Sequence, residues 1–319
     1  MKVAIVTTSF PRSAGDPAGH FVAAEARQLA AQDHDVVVFA PGRGAPRHQG
    51  VRVSWIPSGD AFGFPGAIAR LRERPARAID ALRFVRECRR RLLREGADRV
   101  IAHFLLPCGW PIARGLGVPT EVVGHGTDVR LLMALPTPLA RRIIRELADG
   151  GATFRFVSDA QRRAIARFVP ALQRARVQAP LLDLGDVPHR RRARSQLELP
   201  TEARLAVVVG RLVKSKRVNV ALDALALVPE VSVAVIGDGP ERAQLEAAHP
   251  EARFLGQLER QHCLTWIAAA DLLVSASRHE GAPTVIREAR ALSVPVVSPP
   301  VADVRAWAES DPGLHVLSR

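Results

Sequence analysis

The chain has 319 residues, of which 47% are hydrophobic and 24% are charged, a balance typical of globular proteins. Its three cysteines form no CxxC pair, which argues against a disulfide framework and against a zinc ribbon. Lys and Arg number 45 against 32 Asp and Glu, and the net charge of +13 lies entirely in residues 1–180, because residues 181–319 are neutral. We therefore expect an anionic partner to bind the first half of the chain.

The N-terminal sequence bears on where the protein is found. Met1 runs directly into an apolar segment, without the basic, apolar and cleavage regions of a signal peptide. No stretch reaches the roughly 18 uncharged apolar residues that a membrane-spanning helix needs. We therefore expect a cytoplasmic protein, or one bound peripherally to the inner face of a membrane.

The first half alternates strand and helix patterns. Apolar, β-rich runs predict strands at 2–8, 35–40, 51–56, 99–103, 121–123 and 153–157. Helices are predicted over 18–31 and in the arginine-rich segment after Pro75, whose expected apolar side carries Ile79, Leu82, Val85, Leu92 and Leu93. Strands that are apolar throughout and are separated by helices indicate a parallel sheet covered on both faces.

The second half repeats this alternation after a break. Residues 178–204 contain three prolines and the basic run His189-Arg190-Arg191-Arg192, which predicts a linker. Strands are then predicted at 205–209, 231–236, 253–255, 272–276 and 294–298, and helices at 218–227, 241–248, 264–269 and 283–291. The chain is thus predicted to be α/β, with two doubly wound, Rossmann-like domains over 1–178 and 179–319. Such paired domains bind ligands at the carboxyl ends of their strands, in the cleft between them.

Two glutamates form the most specific motif. Glu280 and Glu288 are eight positions apart, after one predicted strand and within the start of a helix. Gly281 permits a close backbone approach, and the amides of the helix N-terminus suit a diphosphate. The deeper carboxylate could accept hydrogen bonds from a ribose diol. The alternative, two solvated surface glutamates, is equally compatible with the spacing.

Three further motifs follow predicted strands. Gly210 opens a turn with two cations, Arg211 and Lys216, that could clamp a diphosphate, or else an ordinary surface loop. Gly237 opens a second turn, which is more typical of plain turn chemistry. His125 lies between two glycines and could approach a sugar closely, or could simply be a hydrogen-bonded imidazole in a turn.

The combination of these segments is more specific than any one of them. Residues 209–216, 236–241, 254–258, 270–272 and 280–288 occur in an order and spacing that resembles the nucleotide-sugar half of retaining glycosyltransferases of family 4, which have the GT-B fold. Thr8-Ser9-Phe10-Pro11, Gly19-His20-Phe21 and His125-Gly126-Thr127-Asp128 are similar to the first domain of that family. The resemblance extends over about residues 1–310.

The resemblance implies a role for each motif. Glu280 would face the hydroxyls of the donor sugar, Glu288 the ribose, and Arg211 and Lys216 the diphosphate. His125 would reach the sugar near the bond that breaks. The other residues implied in donor binding are Gly19, Gly210, Gly237, Leu258, Gly281, Ala282, Pro283 and Thr284.

The resemblance also implies the chemistry. The donor would be a UDP- or GDP-sugar, with no metal and no other cofactor. Retention would come from front-face displacement, in which the leaving phosphate takes the proton of the acceptor. Two departures stand out: Ala282-Pro283 replaces the aromatic residue and glycine that the family often has, and the chain ends at Arg319, where family members usually continue. We therefore expect either a naturally short enzyme or a truncated chain.

The basic first half suggests the acceptor. Arg83, Arg86, Arg90 and Arg94 recur at helical spacing, close in sequence to a loop with Phe62 and Phe64. This pattern predicts docking on an anionic membrane and an anionic or lipid-linked acceptor for polysaccharide, glycolipid or other glycoconjugate synthesis. A solvated helix face is the alternative.

Other functional classes stay open. A nucleotide-sugar epimerase or a phosphorylase could use the same fold. A non-catalytic anion- or nucleic-acid-binding protein is a further possibility, although no nucleic-acid motif is present, aromatic residues make up 5% and there is no tyrosine for stacking.

Overall fold

The structure, a computed structural model, describes residues 1–13, 15–63 and 66–317. It divides into two compact units, Met1–Leu181 and Leu182–Arg319. The boundary predicted from the sequence lies three residues earlier, at 178/179.

The first unit is built on a sheet whose described strands lie in the order β3-β4-β2-β1-β5-β6-β7-β8. All neighbouring pairs are parallel except the edge pair β3–β4. The strands are β1 Lys2–Val6, β2 Asp35–Pro41, β3 Arg47–His48, β4 Val51–Ile56, β5 Arg99–His103, β6 Thr120–Gly124, β7 Ala152–Phe156 and β8 Arg176–Val177. The helices are α1 His20–Ala31, α2 Ala67–Glu73, α3 Arg77–Glu95, α4 Thr127–Met133, α5 Thr137–Asp149 and α6 Asp159–Ala166.

The second unit has a fully parallel sheet in the order β11-β10-β9-β12-β13-β14. Its strands are β9 Arg204–Val209, β10 Val231–Ile236, β11 Arg253–Gly256, β12 Leu272–Val274, β13 Val296–Ser298 and β14 Leu314–Val316. Its helices are α7 Arg190–Gln196, α8 Val218–Ala226, α9 Arg242–Ala248, α10 Arg260–Ala269, α11 Thr284–Ala291 and α12 Val304–Ala308. The prediction of parallel sheets is confirmed in both units.

The strand order fixes where a ligand can bind. In each unit the first strand, β1 or β9, lies in the middle of the sheet, and the chain winds outward from it in both directions. Ligands of doubly wound sheets bind beyond the carboxyl ends of the strands at this reversal. The segments that follow β1, β6, β9, β10, β11 and β12 carry all of the predicted site residues.

The predicted apolar side of α3 is right for buried Leu92 and for half-buried Val85, which packs on the core, and wrong for the other three residues. The buried residues are Phe84, Cys88 and Leu92, whose spacing of four places them on one face. Ile79, Leu82 and Leu93 are 55%, 63% and 56% exposed and lie on the opposite face, interleaved with the arginines. Apolar residues on both faces of the helix made the buried face ambiguous from sequence.

The prediction that the loop of Phe62 and Phe64 docks on a membrane is also wrong for Phe62, the described one of these two residues. Phe62 is buried and packs on Phe84, with ring centroids 4.8 Å apart, so it belongs to the core of the first unit. Phe64 lies outside the described residues.

The segment predicted to be a linker is partly folded. The basic run from His189 onward leads into α7, and Asp271 accepts hydrogen bonds from Arg190, from Arg194 and from the N–H of Leu205. These bonds fix α7 on the second unit. Near the end of the chain, Arg290 pairs with Asp311, and β14 adds a strand to the sheet beside β13. These contacts attach the last described residues to the second unit.

Candidate functional site

Two glycine loops form the first part of the site in the second unit. Gly210 follows β9 and donates its N–H to the carbonyl of Ile236, while Leu212 donates to Asp238 at 2.8 Å. Gly237 follows β10 with φ of 137°, and a Cβ at this position would collide with the carbonyl oxygen of Gly210. Glycine is therefore needed at 237 because the two loops pack backbone to backbone.

Lys216 and Glu280 are brought together by neighbouring strands. Lys216 lies in a 3-10 turn after β9, Glu280 lies in the loop after β12, and Arg278 donates its N–H to Ser215 at 2.9 Å. Lys216 Nζ is 2.5 Å from Glu280 Oε1, and both side chains are mostly buried. Arg211 lies exposed at the start of the same loop.

Glu288 is not a solvated surface residue. It lies on α11, is 5% exposed and accepts a 2.8 Å ion-paired hydrogen bond from Arg260 Nη1. Arg260 also donates to the carbonyl of Asp183 at 2.6 Å, which anchors its guanidinium. Arg260 was not predicted, because an arginine at the start of a helix carries no sequence signal for a partner 28 residues away.

The start of α11 directly follows the loop that carries Glu280. Gly281, Ala282 and Pro283 lead into the helix, which begins at Thr284. The first N–H groups of a helix have no intrahelical acceptor and form the positive end of its dipole. Leu258 follows β11, and its half-buried side chain packs on the core of this unit.

The site residues of the first unit centre on His125. His125 follows β6, and its Nε2 lies 3.0 Å from Nδ1 of His103 at the end of β5. The rings of Phe21 and Phe104 pack on His125 at 4.9 and 4.7 Å between centroids. His125 is therefore a hydrogen-bonded imidazole in a turn, as the alternative interpretation predicted.

Asp128 shapes the backbone around His125. The buried carboxylate accepts hydrogen bonds from the N–H groups of Leu105, His125 and Gly126 at 2.7, 3.0 and 2.8 Å. Burial raises the pKa of Asp128, although these backbone bonds oppose the shift. The sequence motif contained this aspartate, but its role as an organiser of the loop depends on Leu105, which is distant in sequence.

Both histidines are held neutral. Burial lowers the pKa of His103 to about 3, and the positive charge of Arg155 acts in the same direction. Burial, then His103, then Arg155 lower the pKa of His125 well below its ordinary value. Arg155 pairs with Glu25 at 2.5 Å.

Gly19 lies in the tight loop between β1 and α1. Its φ is 65°, and a Cβ there would collide with the carbonyl oxygen of Ser9. The loop therefore needs glycine at this position for its own folding, whatever it binds.

The described residues provide neither a cluster of metal ligands nor a membrane-spanning helix. No group of three or more His, Cys, Asp or Glu side chains in this part of the chain is placed to hold a metal ion. None of the described helices is both long and apolar enough to span a bilayer. Metal-independent catalysis remains a prediction.

Comparison with protein families gives two matches. Residues 18–184 match the profile of Glycosyltransferase Family 4, and residues 203–317 match that of Glycosyl transferases group 1. The chain is 29% identical over 327 residues to a GDP-mannose-dependent alpha-mannosyltransferase of Mycolicibacterium smegmatis, covering 94% of this chain and 80% of that protein. It is 29% identical over 214 residues to a Bacillus subtilis protein named as a teichuronic acid biosynthesis glycosyltransferase, TuaC, and this match spans about half (54%) of that protein.

Solved structures show the same fold. Sucrose-phosphate synthase from Thermosynechococcus elongatus aligns with a TM-score of 0.70 at 19% identity, over 96% of this chain and 82% of that one. Anabaena Alr3699/HepE in complex with UDP aligns with a TM-score of 0.67 at 18% identity, with the same coverage. These likenesses confirm the predicted fold class, GT-B with two Rossmann-like units.

Proposed function

The chain belongs to glycosyltransferase family 4, and on that premise we propose that it transfers a sugar, with retention, from a UDP- or GDP-sugar to an anionic acceptor. The observation that supports the donor side best is the pair of buried ion pairs, Lys216–Glu280 and Arg260–Glu288, at one edge of the second sheet. Lys216 and the two carboxylates held there match the three parts of a nucleotide sugar, which are the diphosphate, the sugar and the ribose, and Arg260 orients Glu288.

The proposed donor contacts follow from this pairing. Lys216 and Arg211 bind the diphosphate, assisted by the N-terminal amides of α11. Glu280, released in part from Lys216, accepts hydrogen bonds from the sugar hydroxyls. Glu288, oriented by Arg260, accepts from the ribose diol. The backbone at Leu258 meets the base, and Gly210, Gly237 and Gly281 allow the close approach of the loops.

The proposed reaction breaks the bond between the anomeric carbon and the diphosphate oxygen. The acceptor oxygen bonds to the same face of that carbon, and its proton passes to the leaving phosphate oxygen. The role of Arg211 and Lys216 is then to stabilise the charge that grows on the departing diphosphate. His125 contacts the donor sugar, and no protein base or metal ion takes part. The loop at Gly19 packs against the phosphates.

The charge distribution supports an anionic acceptor. The first unit carries the whole excess of +13. A cavity of about 200 Å³ in this unit is lined by Arg12, Arg47, His48 and Trp55, among others, and is suited to a phosphate or carboxylate next to an apolar ring. A lipid-linked or acidic saccharide of a growing glycoconjugate fits these features. Relatives named for teichuronic acid and lipopolysaccharide core biosynthesis are consistent with such acceptors.

A membrane surface is the proposed place of work. The exposed face of α3, which we define as Ile79, Leu82, Arg83, Arg86, Arg90, Leu93 and Arg94, combines apolar and cationic side chains along its length. Such a face can lie on anionic lipid. We therefore propose a cytoplasmic enzyme that is peripheral on the inner membrane face.

A thermal-shift panel tests the donor assignment. The purified chain is heated with UDP, GDP, a UDP-sugar, a GDP-sugar or a short oligonucleotide. A ligand at 100 times its Kd stabilises the folded state by about 2.7 kcal/mol, so a nucleoside diphosphate should raise the melting temperature. Stabilisation by the oligonucleotide alone would overturn the proposal and favour a nucleic-acid-binding protein.

A further inference from the structure

His103 and His125 share a single hydrogen bond, and this limits their protonation. Nδ1 of His103 lies 3.0 Å from Nε2 of His125, and both rings are neutral because burial disfavours their charged forms. A neutral imidazole has one N–H and one lone pair. Either His103 donates from Nδ1, or His125 donates from Nε2, and each choice fixes the outer nitrogen of both rings.

The surroundings of His103 distinguish these two arrangements. Its Nε2 is buried, has no hydrogen-bond partner, and lies 3.7 Å from Oε2 of Glu25. A lone pair on Nε2 would face a carboxylate and be repelled, whereas an N–H there is attracted to it. The proton of His103 therefore belongs on Nε2, which leaves Nδ1 as the acceptor and makes His125 the donor.

Arg155 explains why Glu25 orients His103 without charging it. The guanidinium of Arg155 pairs with Glu25 at 2.5 Å and lies 3.4 Å from Glu121. Its positive charge opposes an imidazolium at His103, while Glu25 still presents its second oxygen to Nε2. Glu25 therefore fixes which nitrogen of His103 carries the proton, without making the imidazole charged.

The consequence appears at His125. With its proton on Nε2, the lone pair is on Nδ1. This nitrogen has no hydrogen-bond partner among the described residues, and it is not among their fully enclosed polar atoms, so it keeps some access to solvent.

We propose that His103 is a positioning residue that, with Glu25 behind it, holds His125 in the Nε2–H tautomer, so that His125 offers Nδ1 as a hydrogen-bond acceptor to a hydroxyl of the donor sugar. The final clause rests on the proposed function, because it takes His125 to meet the sugar. The tautomer itself follows from the geometry of His103, His125 and Glu25.

Nitrogen NMR of the full chain labelled with 15N-histidine tests the tautomer directly. Long-range 1H–15N correlations separate protonated from unprotonated ring nitrogens, and the spectra of His103→Asn and His125→Asn assign the two rings. We expect both His103 and His125 as Nε2–H tautomers at neutral pH. A proton on Nδ1 of His125, or a charged imidazole, would overturn the proposal.

Two variants isolate the cause. Glu25→Gln keeps the size of the side chain but removes the charge, so a population of His125 with the proton on Nδ1 should appear. Glu121→Gln is the matched control: it also removes a carboxylate from Arg155, but Glu25 still faces His103, and the tautomer of His125 should be unchanged. If Glu25→Gln and Glu121→Gln both give the His125 spectrum of the parent, Glu25 does not set the tautomer.

Substitutions of His103 link the tautomer to turnover. In His103→Asn the amide oxygen can replace Nδ1 as acceptor, whereas His103→Leu removes the acceptor. We expect kcat of the leucine variant to fall about tenfold below that of the asparagine variant. Equal kcat in two folded variants would argue against the positioning role. If the leucine variant does not fold, the tautomer measurements on the parent and on Glu25→Gln still decide.

Failure of this proposal can be told from failure of the proposed function. The NMR result needs no substrate, whereas the thermal-shift panel needs no particular tautomer. Binding of a nucleoside diphosphate together with a mixed His125 tautomer would refute only the positioning role. A pure Nε2–H tautomer without nucleotide binding would refute only the donor assignment.

Discussion

The two units handle charge at their candidate sites in opposite ways. In the second unit, Lys216 and Glu288 each face a partner of opposite sign, and the unit as a whole is neutral. In the first unit, the two histidines of the site are neutral and the Arg155–Glu25 ion pair lies behind them, while the net charge of +13 is carried elsewhere, in part on exposed arginines. Local pairing suits a compact dianion that must be bound in one geometry, whereas a broad positive field suits an extended anionic partner.

The largest effect is expected for the two cations that are proposed to bind the departing diphosphate. Arg211→Ala and Lys216→Ala should each lower kcat by about 10²–10³, because each removes a preorganised cation from the departing diphosphate. Steady-state kinetics at saturating donor measures the loss.

The same turn offers a matched control. Lys214→Ala removes an exposed lysine two residues from Lys216, and its kcat should remain near that of the parent. If Arg211→Ala and Lys216→Ala also stay within a few-fold of the parent, the assignment of the clamp is wrong.

The second effect concerns the ribose. Glu288→Ala should raise the donor Kd about 10–100-fold, since hydrogen bonds to a charged group contribute about 1.5–3 kcal/mol. Arg260→Ala should also weaken binding, because it leaves Glu288 buried without its cation. Titration calorimetry with the nucleoside diphosphate measures both, and exposed Glu309→Ala is the control. An unchanged Kd for folded Glu288→Ala would reduce this residue to a structural partner of Arg260.

The sequence predicted the strands and the loop motifs because these depend on local patterns. Apolar runs such as 205–209 and 231–236 are short, rich in β-branched valine and followed directly by glycine turns, which favours buried strands over helices. Ion pairs between distant segments have no such pattern. Arg260–Glu288 joins two helices, and Arg155–Glu25 joins residues 130 apart, so neither could be predicted.

Helix orientation was the second limit. In α3 both faces carry apolar residues, and the buried face is chosen by the neighbours of Phe84, including Phe62. A periodic pattern predicts the helix but does not show which of two apolar stripes is buried. Phe62 was expected on the surface and is buried, whereas Leu82 was expected on the apolar side and is exposed.

The third effect is the pH dependence of stability that buried, neutral His103 causes. Because the pKa of His103 falls to about 3 in the folded state from an ordinary 6.5, the unfolded chain takes up a proton below pH 6.5 that the folded chain does not. The free energy of unfolding should therefore decrease as pH falls, by at most about 1.4 kcal/mol per pH unit for this histidine. Urea unfolding between about pH 7.5 and 5 measures the slope. His103→Asn should flatten it relative to the parent, and a variant of exposed His315 is the control; equal slopes in all three proteins would contradict the assignment.

The smallest effect tests the field of the first unit. The chain should co-sediment with anionic vesicles at low salt, less at moderate salt, and not with neutral vesicles, because each basic residue near an anionic surface contributes about 1 kcal/mol and is screened by salt. Arg86 and Arg94 on the exposed face of α3 make no ion pair among the described residues, so Arg86→Gln or Arg94→Gln should each lower partitioning about fivefold. Exposed Arg191→Gln and Arg192→Gln in the second unit change the net charge equally and should have little effect if the face of α3 is the contact. Equal losses from both units would indicate a response to net charge alone. A parent chain that stays in the supernatant with both kinds of vesicle would refute membrane docking and favour a soluble acceptor.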